Sequence, residues 1–236
     1  MSHYLNWLLT DLPDHFMNLV VSTELPSQGL DDLIESALIH FRSMDIRKLS
    51  WLVREGVPFT VMHNAMLAHG LTFRESFATE MAVYLASLPE HLPAHPGLRI
   101  VPVKDEFALR QWIHVASIGF RISEKFEKVW YDFFVDVIRN PQFRTYLALL
   151  DGKPVGTSQL FLSEGVAGIY NVTCVPEARG QGVGSAVTMA PLVEARREGY
   201  RICVLQASKQ GYNVYCRLGF RDFGNLSVYL WENDRH

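Results

Sequence analysis

Residues 171–185 read NVTCVPEARGQGVGS, and this stretch decides the fold because it joins an apolar run to a glycine-rich loop that opens a helix. Gly180, Gly182 and Gly184 carry no Cβ to keep a ligand off the main chain, and glycine reaches backbone angles closed to other residues. The helix that follows begins with unpaired N–H groups and the positive end of its dipole, so an anion, a phosphate above all, would sit well there. A dinucleotide fingerprint starting at Gly182 would need glycine where Val187 stands, and a P-loop would need Gly-Lys-Ser or Gly-Lys-Thr, which is absent. What remains is RxxGxG, running from Arg179 through Gly182 to Gly184.

The flanks give this short pattern its weight. Residues 166–175 read as a strand, and Val183, Ala186, Val187, Ala190 and Val193 recur after the loop at helical spacing. Gly199 is a stop signal, residues 200–206 (YRICVLQ) read as a buried strand, and residues 215–220 (YCRLGF) close a short helix. Upstream, residues 98–103 read as a strand, 105–119 as a helix and 124–139 as an aromatic-rich helix. Strands over 144–150 and 154–162 follow, joined by Asp151-Gly152, and Glu164-Gly165 makes the next turn. Pro191 lies inside the helix after the loop and should bend it.

Taken together, VPEARGQGVGSA, the helix ending in ARREGY, the strand VLQAS and the segment VYCRLGF resemble the Gcn5-related N-acetyltransferase (GNAT) superfamily. The resemblance covers about residues 98–231. It implies an α+β fold with a mixed α/β sheet, the acyl-CoA N-acyltransferase fold, in which the loop holds the pyrophosphate of acetyl-CoA and the pantetheine arm lies between two splayed parallel strands.

Composition agrees with such an enzyme. The chain has 236 residues, 48% apolar and 20% charged, which excludes disorder, and a net charge of −3 with no basic stripe argues against a nucleic-acid partner. Asp11 and Asp14 interrupt the apolar N-terminus, so neither a signal peptide nor a spanning helix fits, and cytoplasm is the expectation, with no membrane partner. Cys174, Cys203 and Cys216 lack metal spacing and read as small core residues; the nine histidines are scattered, so no metal is expected.

Residues 87–97 (SLPEHLPAHPG) form the clearest linker and put a boundary near residue 95. Two domains are expected: a smaller N-terminal α/β domain over 1–95 and an acetyltransferase domain over 96–236. In the first, 28–41 reads as an amphipathic helix, and 49–53, 59–67 and 81–85 as short strands. This region resembles, more weakly, the reduced N-terminal half of two-part GNAT proteins, with GVPFTVMHNAML as a strand pair. It has no RxxGxG loop, so no second cofactor site is expected, and packing on the catalytic half and shaping the acceptor pocket are its expected roles.

Roles follow from the resemblance residue by residue. Thr173, Cys174, Val175, Arg179, Gly180, Gln181, Gly182, Val183, Gly184 and Ser185 fall on the segment that binds acetyl-CoA. Backbone N–H groups near Cys174 and Val175 would face the thioester carbonyl and stabilise the developing oxyanion. Tyr215 stands at the family's tyrosine position and would protonate the departing thiolate; tyrosine, with an ordinary pKa of about 10, is protonated at neutral pH. The alternative for it is a ring packed on the sheet. Many members carry a glutamate base on the strand before the loop, whereas here that strand offers only Tyr170, Asn171 and Thr173, so Asn171 would hold a relay water or simply bond a neighbour. Ser208 replaces the family's usual asparagine on the pantetheine arm, and Arg179 would anchor the helix start beside the phosphates.

Phe120, Phe126, Trp130 and Tyr131 would lie near the acceptor cleft or pack the core. The expected activity is acetyl transfer from the CoA thioester to a primary amine of a small molecule or peptide. A second copy of the chain is a candidate partner. The competing reading, from the missing carboxylate, is a GNAT-like CoA-binding sensor or assembly module.

Overall fold

A computed structural model describes all residues except 1–4, 11–14, 16, 23, 24, 27, 55–57, 90–94 and 234–236, together with the backbone alone of 75–77. The chain divides into two compact units, one of residues 1–80 and 223–236 and one of residues 81–222. The expected boundary near 95 lies in the proline-rich linker; the units divide instead within two strands, between Glu80 and Met81 and between Asp222 and Phe223. No helix among the described residues is long and apolar enough to cross a membrane.

In the first unit, strands β1 (Leu5–Leu8), β2 (Leu19–Ser22) and β3 (Lys48–Arg54) precede residues 72–80 of β4 (Thr72–Tyr84), and residues 223–232 of β10 (Arg221–Glu232) return to it. Their order across the sheet is β1-β2-β3-β10-β4. β2 and β3 are parallel, linked by helix α1 (Leu30–Ser43), and β10 runs antiparallel to β3. Leu30, Ile34, Ala37, Leu38 and Phe41 recur at helical spacing and bury one face of α1. They join Leu49, Trp51, Met62, Met66 and Tyr229 in one core.

Two expectations are corrected in this unit. Residues 59–67 do not form a strand, nor does GVPFTVMHNAML form a strand pair: Phe59–Ala68 is helix α2. Its buried residues Met62, Ala65 and Met66 follow the helical period, while Phe59, Val61 and Leu67 lie exposed, which spreads apolar residues around the helix and hides that period. The strand expected at 81–85 is the end of the longer β4.

In the second unit the strand order is β4-β9-β8-β7-β6-β5. The chain runs from β5 (Leu98–Pro102) through helices α3 (Glu106–Phe120) and α4 (Glu127–Val137) to β6 (Phe143–Leu150), β7 (Lys153–Ser163) and β8 (Val166–Cys174). Helix α5 (Val183–Arg197), β9 (Ile202–Ala207) and helix α6 (Tyr212–Arg217) then lead into β10. Strands β5 to β8 form an antiparallel meander, and β9 is parallel to β8. This is the expected α+β order.

Local chemistry sets the ends of these elements. The Asp105 carboxylate accepts the Ala108 N–H at 2.8 Å and caps α3. Both hairpin turns have paired positive φ values, Asp151 at 50° with Gly152 at 79° and Glu164 at 47° with Gly165 at 75°, the turn whose twist matches the strands. Pro191 sits inside α5 and offers no N–H to the Val187 carbonyl four residues earlier; the buried Ser158 hydroxyl on β7 donates to that carbonyl at 2.6 Å instead. The sheet therefore supplies the bond that the helix lacks.

Candidate active site

The site is built around a departure from regular pairing on β8. Asn171 takes φ 52°, and the β7–β8 register slips there: Gln159 faces Tyr170, whereas Thr157 faces Thr173. One extra residue is thus absorbed as a bulge. Asparagine tolerates the left-handed region better than most residues, which suits it to this position. The bulge is held from two sides, for the Thr157 hydroxyl donates to the Asn171 carbonyl at 2.8 Å and the Asn171 amide donates to Gln159 Oε1 at 3.1 Å.

The parallel pairing of β8 with β9 stops short of the bulge. The β8–β9 register spans Val166 with Ile202, Ala167 with Cys203 and Gly168 with Val204, while both strands continue past these pairs. The Val175 N–H is bonded to the Val155 carbonyl on β7 at 2.9 Å. Backbone groups alternate sides along a strand, so the N–H groups of Val172 and Cys174 face the β9 side. An oxyanion role for the Val175 N–H does not fit this bond, and the direction of the Val172 N–H depends on a bulge that the sequence does not announce.

The glycine loop follows directly. Gly180 (φ 75°) and Gly182 (φ 79°) are left-handed, and Gly182 caps α5. The first bond of the helix is from the Ala186 N–H to the Gly182 carbonyl at 3.0 Å, leaving the N–H groups of Val183, Gly184 and Ser185 at the free helix end. A Cβ built on Gly180, Gly182 or Gly184 would meet nothing within 4 Å, so the main chain there is open to close approach. Gln181 turns back, its amide donating to the Glu177 carbonyl at 2.8 Å.

Two close packings fix the loop. Val183 is buried with Ala148, Val155, Ala178 and Val187, and a Cβ on Gly156 would come within 2.8 Å of its Cγ1. A Cβ on Gly119 of α3 would overlap Thr173 Oγ1 at 2.2 Å, so α3 packs tightly on β8 at that glycine. The Thr173 side chain is therefore covered by α3.

Tyr215 of α6 is buried, and no hydrogen bond to its hydroxyl occurs among the described residues. Burial pushes its pKa above the ordinary tyrosine value, and the Cys174 thiol nearby pushes it further. Its ring leaves no room at Gly211, where a Cβ would come within 2.9 Å of Cε2. Cys174 is likewise raised by burial, offset by the charge and hydrogen bond of Arg179. Arg179 thus reaches back to β8. The Ser208 hydroxyl accepts the Gly211 N–H at 3.2 Å and shapes the turn into α6. Tyr215, Cys174 and Arg179 are brought together; Gln181 and Ser208 serve local turns.

Of the aromatics expected near an acceptor, Trp130 is buried against Phe134 with ring centroids 5.5 Å apart, and the Arg110 guanidinium lies 4.0 Å from the centre of the Tyr131 ring. Phe120 and Phe126 are partly buried. No group of three or more His, Cys, Asp or Glu residues able to hold a metal occurs among the described residues.

Residues 108–220 match the acetyltransferase (GNAT) family model. Among curated proteins none matches the sequence. The fold is similar to that of a GCN5-related N-acetyltransferase from Kribbella flavida, with TM-score 0.74 and 20% identity, covering 100% of this chain and 89% of that one. It is also similar to a GCN5-related N-acetyltransferase from Sphaerobacter thermophilus, with TM-score 0.70, 16% identity and coverage of 94% and 75%. A tandem GNAT protein from the clavulanic acid biosynthesis pathway gives TM-score 0.62, 18% identity and coverage of 92% and 76%. The bulged strand and the RxxGxG loop both fall within residues 108–220, the stretch that matches the acetyltransferase (GNAT) family model.

Proposed function

We propose that the chain transfers an acetyl group from acetyl-CoA to a primary amine. The observation that carries this reading is the separation of β8 from β9 directly beside the open glycine loop, which offers a slot for an extended arm and a cradle for its phosphates. The residues fit the ligand: the free N–H groups at the start of α5 suit a pyrophosphate. Acetyl-CoA supplies an acyl group activated as a thioester.

The chain's own groups supply the rest. The Val172 and Cys174 N–H groups hold the thioester carbonyl oxygen as negative charge builds on it. Tyr215 keeps its proton across the physiological range, because burial raises its pKa, and gives it to the departing sulfur. The amine nitrogen's lone pair forms the new N–C bond, the electron pair of the broken C–S bond stays on sulfur, and the nitrogen's surplus proton leaves through a water at Asn171. Tyr215 then regains a proton from solvent.

Calorimetric titration with acetyl-CoA, followed by thiol release across a panel of primary amines, tests the reading. Saturable binding with thiol release accelerated by an amine supports it. Binding without acceleration makes the chain a CoA-binding module, and no binding overturns the assignment of the loop.

A further inference from the structure

The core of the second unit contains a line of polar side chains that hydrophobic packing does not explain. Gln159 on β7 is 3% exposed and Thr145 on β6 is 4% exposed. Gln159 Nε2 donates to Thr145 Oγ1 at 3.1 Å, and Gln159 Oε1 accepts from Asn171 Nδ2 at 3.1 Å. Burying an amide costs free energy unless its groups are paired, so a glutamine in this position is tolerable only because both its ends are satisfied. The line ends at the left-handed residue of the β8 bulge, beside the strand separation.

We propose that Gln159 is a positioning residue for acyl transfer, acting through Asn171. An amide's nitrogen and oxygen point apart from their shared carbon. With Asn171 Nδ2 committed to Gln159, the side-chain oxygen Asn171 Oδ1 is turned away from that bond, where it accepts an N–H of the incoming amine or a hydrogen of the water that removes its proton. Holding an N–H directs the nitrogen lone pair, and orientation of this kind is what separates a bound amine from a reactive one. A freely rotating Asn171 would present its NH2 group half the time and repel the amine's hydrogens. The inference rests on the acetyl-transfer reading above.

The test is steady-state kinetics with acetyl-CoA and the fastest amine of the panel, together with acetyl-CoA titration. Gln159→Met keeps the volume and removes both bonds; it is expected to lower kcat about fivefold, the loss of one hydrogen bond, with acetyl-CoA affinity unchanged within about twofold. Gln159→Glu, neutral when buried, restores both bonds and the rate. In an Asn171→Gly background, which keeps the bulge but has no amide, Gln159→Met is expected to change kcat by less than about twofold. A Gln159→Met protein that turns over like wild type, or a loss that persists in the Asn171→Gly background, overturns the proposal. If Gln159→Met does not fold, Gln159→Leu removes the same bonds with a smaller side chain, and an unchanged kcat there has the same force. A wild-type protein that neither binds acetyl-CoA nor releases thiol sinks the acetyl-transfer reading itself and this proposal with it.

Discussion

At the scale of the residue, the two inner glycines of the loop are unequal as probes. Gly182 is held at φ 79°, so any side chain there is strained as well as intrusive, whereas Gly184 sits in the first turn of α5 with nothing within 4 Å of a Cβ. Gly184→Glu is therefore the cleaner change: a carboxylate is welcome at a free helix start but not beside phosphates. It is expected to leave the midpoint of thermal unfolding within a few degrees of wild type and to weaken acetyl-CoA binding at least about tenfold, read by calorimetry. Tyr215→Phe is expected to lower turnover by about a hundredfold with binding retained, the usual weight of a positioned acid. Because burial raises the pKa of Tyr215, the wild-type rate should show no descending limb from this group up to about pH 10. The role proposed for Tyr215 follows from its place in YCRLGF, whereas the direction of the Val172 and Cys174 N–H groups does not show in the sequence. Their direction depends on one left-handed residue at Asn171, and neither composition nor period reports a φ angle.

At the scale of the element, α5 shows how a helix with an internal proline is kept intact. Ser158→Ala leaves the Val187 carbonyl buried without its partner and is expected to cost about 1–3 kcal/mol, measured by chemical denaturation. Adding Pro191→Ala returns an N–H to that carbonyl and should recover part of the loss, so the two changes are expected to be non-additive. Pro191 was visible in the sequence, but its remedy lies on β7, far away along the chain. The same contrast runs through the other elements. β7, β8, α5 and the two glycine turns were legible because period, stop signals and turn residues agree within a short window. Helix α2 was not, since Phe59, Val61 and Leu67 are apolar yet exposed, and only the burial of Met62, Ala65 and Met66 distinguishes helix from strand there.

At the scale of the whole molecule, each unit contains a strand, helix, strand unit with parallel strands, but among the described residues only one of them opens. In the first unit β2 pairs with β3 from Leu19 with Ser50 to Ser22 with Val53, and the Trp51 indole N–H donates to the Ser22 hydroxyl at 2.7 Å at the end of β2. Among the described residues this pairing shows no parting of strands like that after Gly168, so titration is expected to give one acetyl-CoA per chain; two would show that β2 and β3 separate. Stability should fall in alkali. Buried Tyr146, Tyr215 and Cys203 all have raised pKa values, Cys203 to about 12, and a raised value means the neutral form is favoured by folding. Their contribution is complete below their ordinary values, about 8.5 for the thiol and 10 for the tyrosines, and is lost as pH climbs above them, which denaturation midpoints between pH 8 and 11 would record. The strand β10 has a different kind of consequence. Its residues 223–232 belong to the unit formed by the earliest residues and cover the edge of β3, yet a ribosome delivers them after every residue of the second unit. During translation the β3 edge therefore waits on the order of ten seconds for its partner, exposed in the way that invites association between nascent chains. A chain ended at Asp222 would make that wait permanent, and its expected fate is aggregation, with chaperones holding the nascent first unit until β10 arrives.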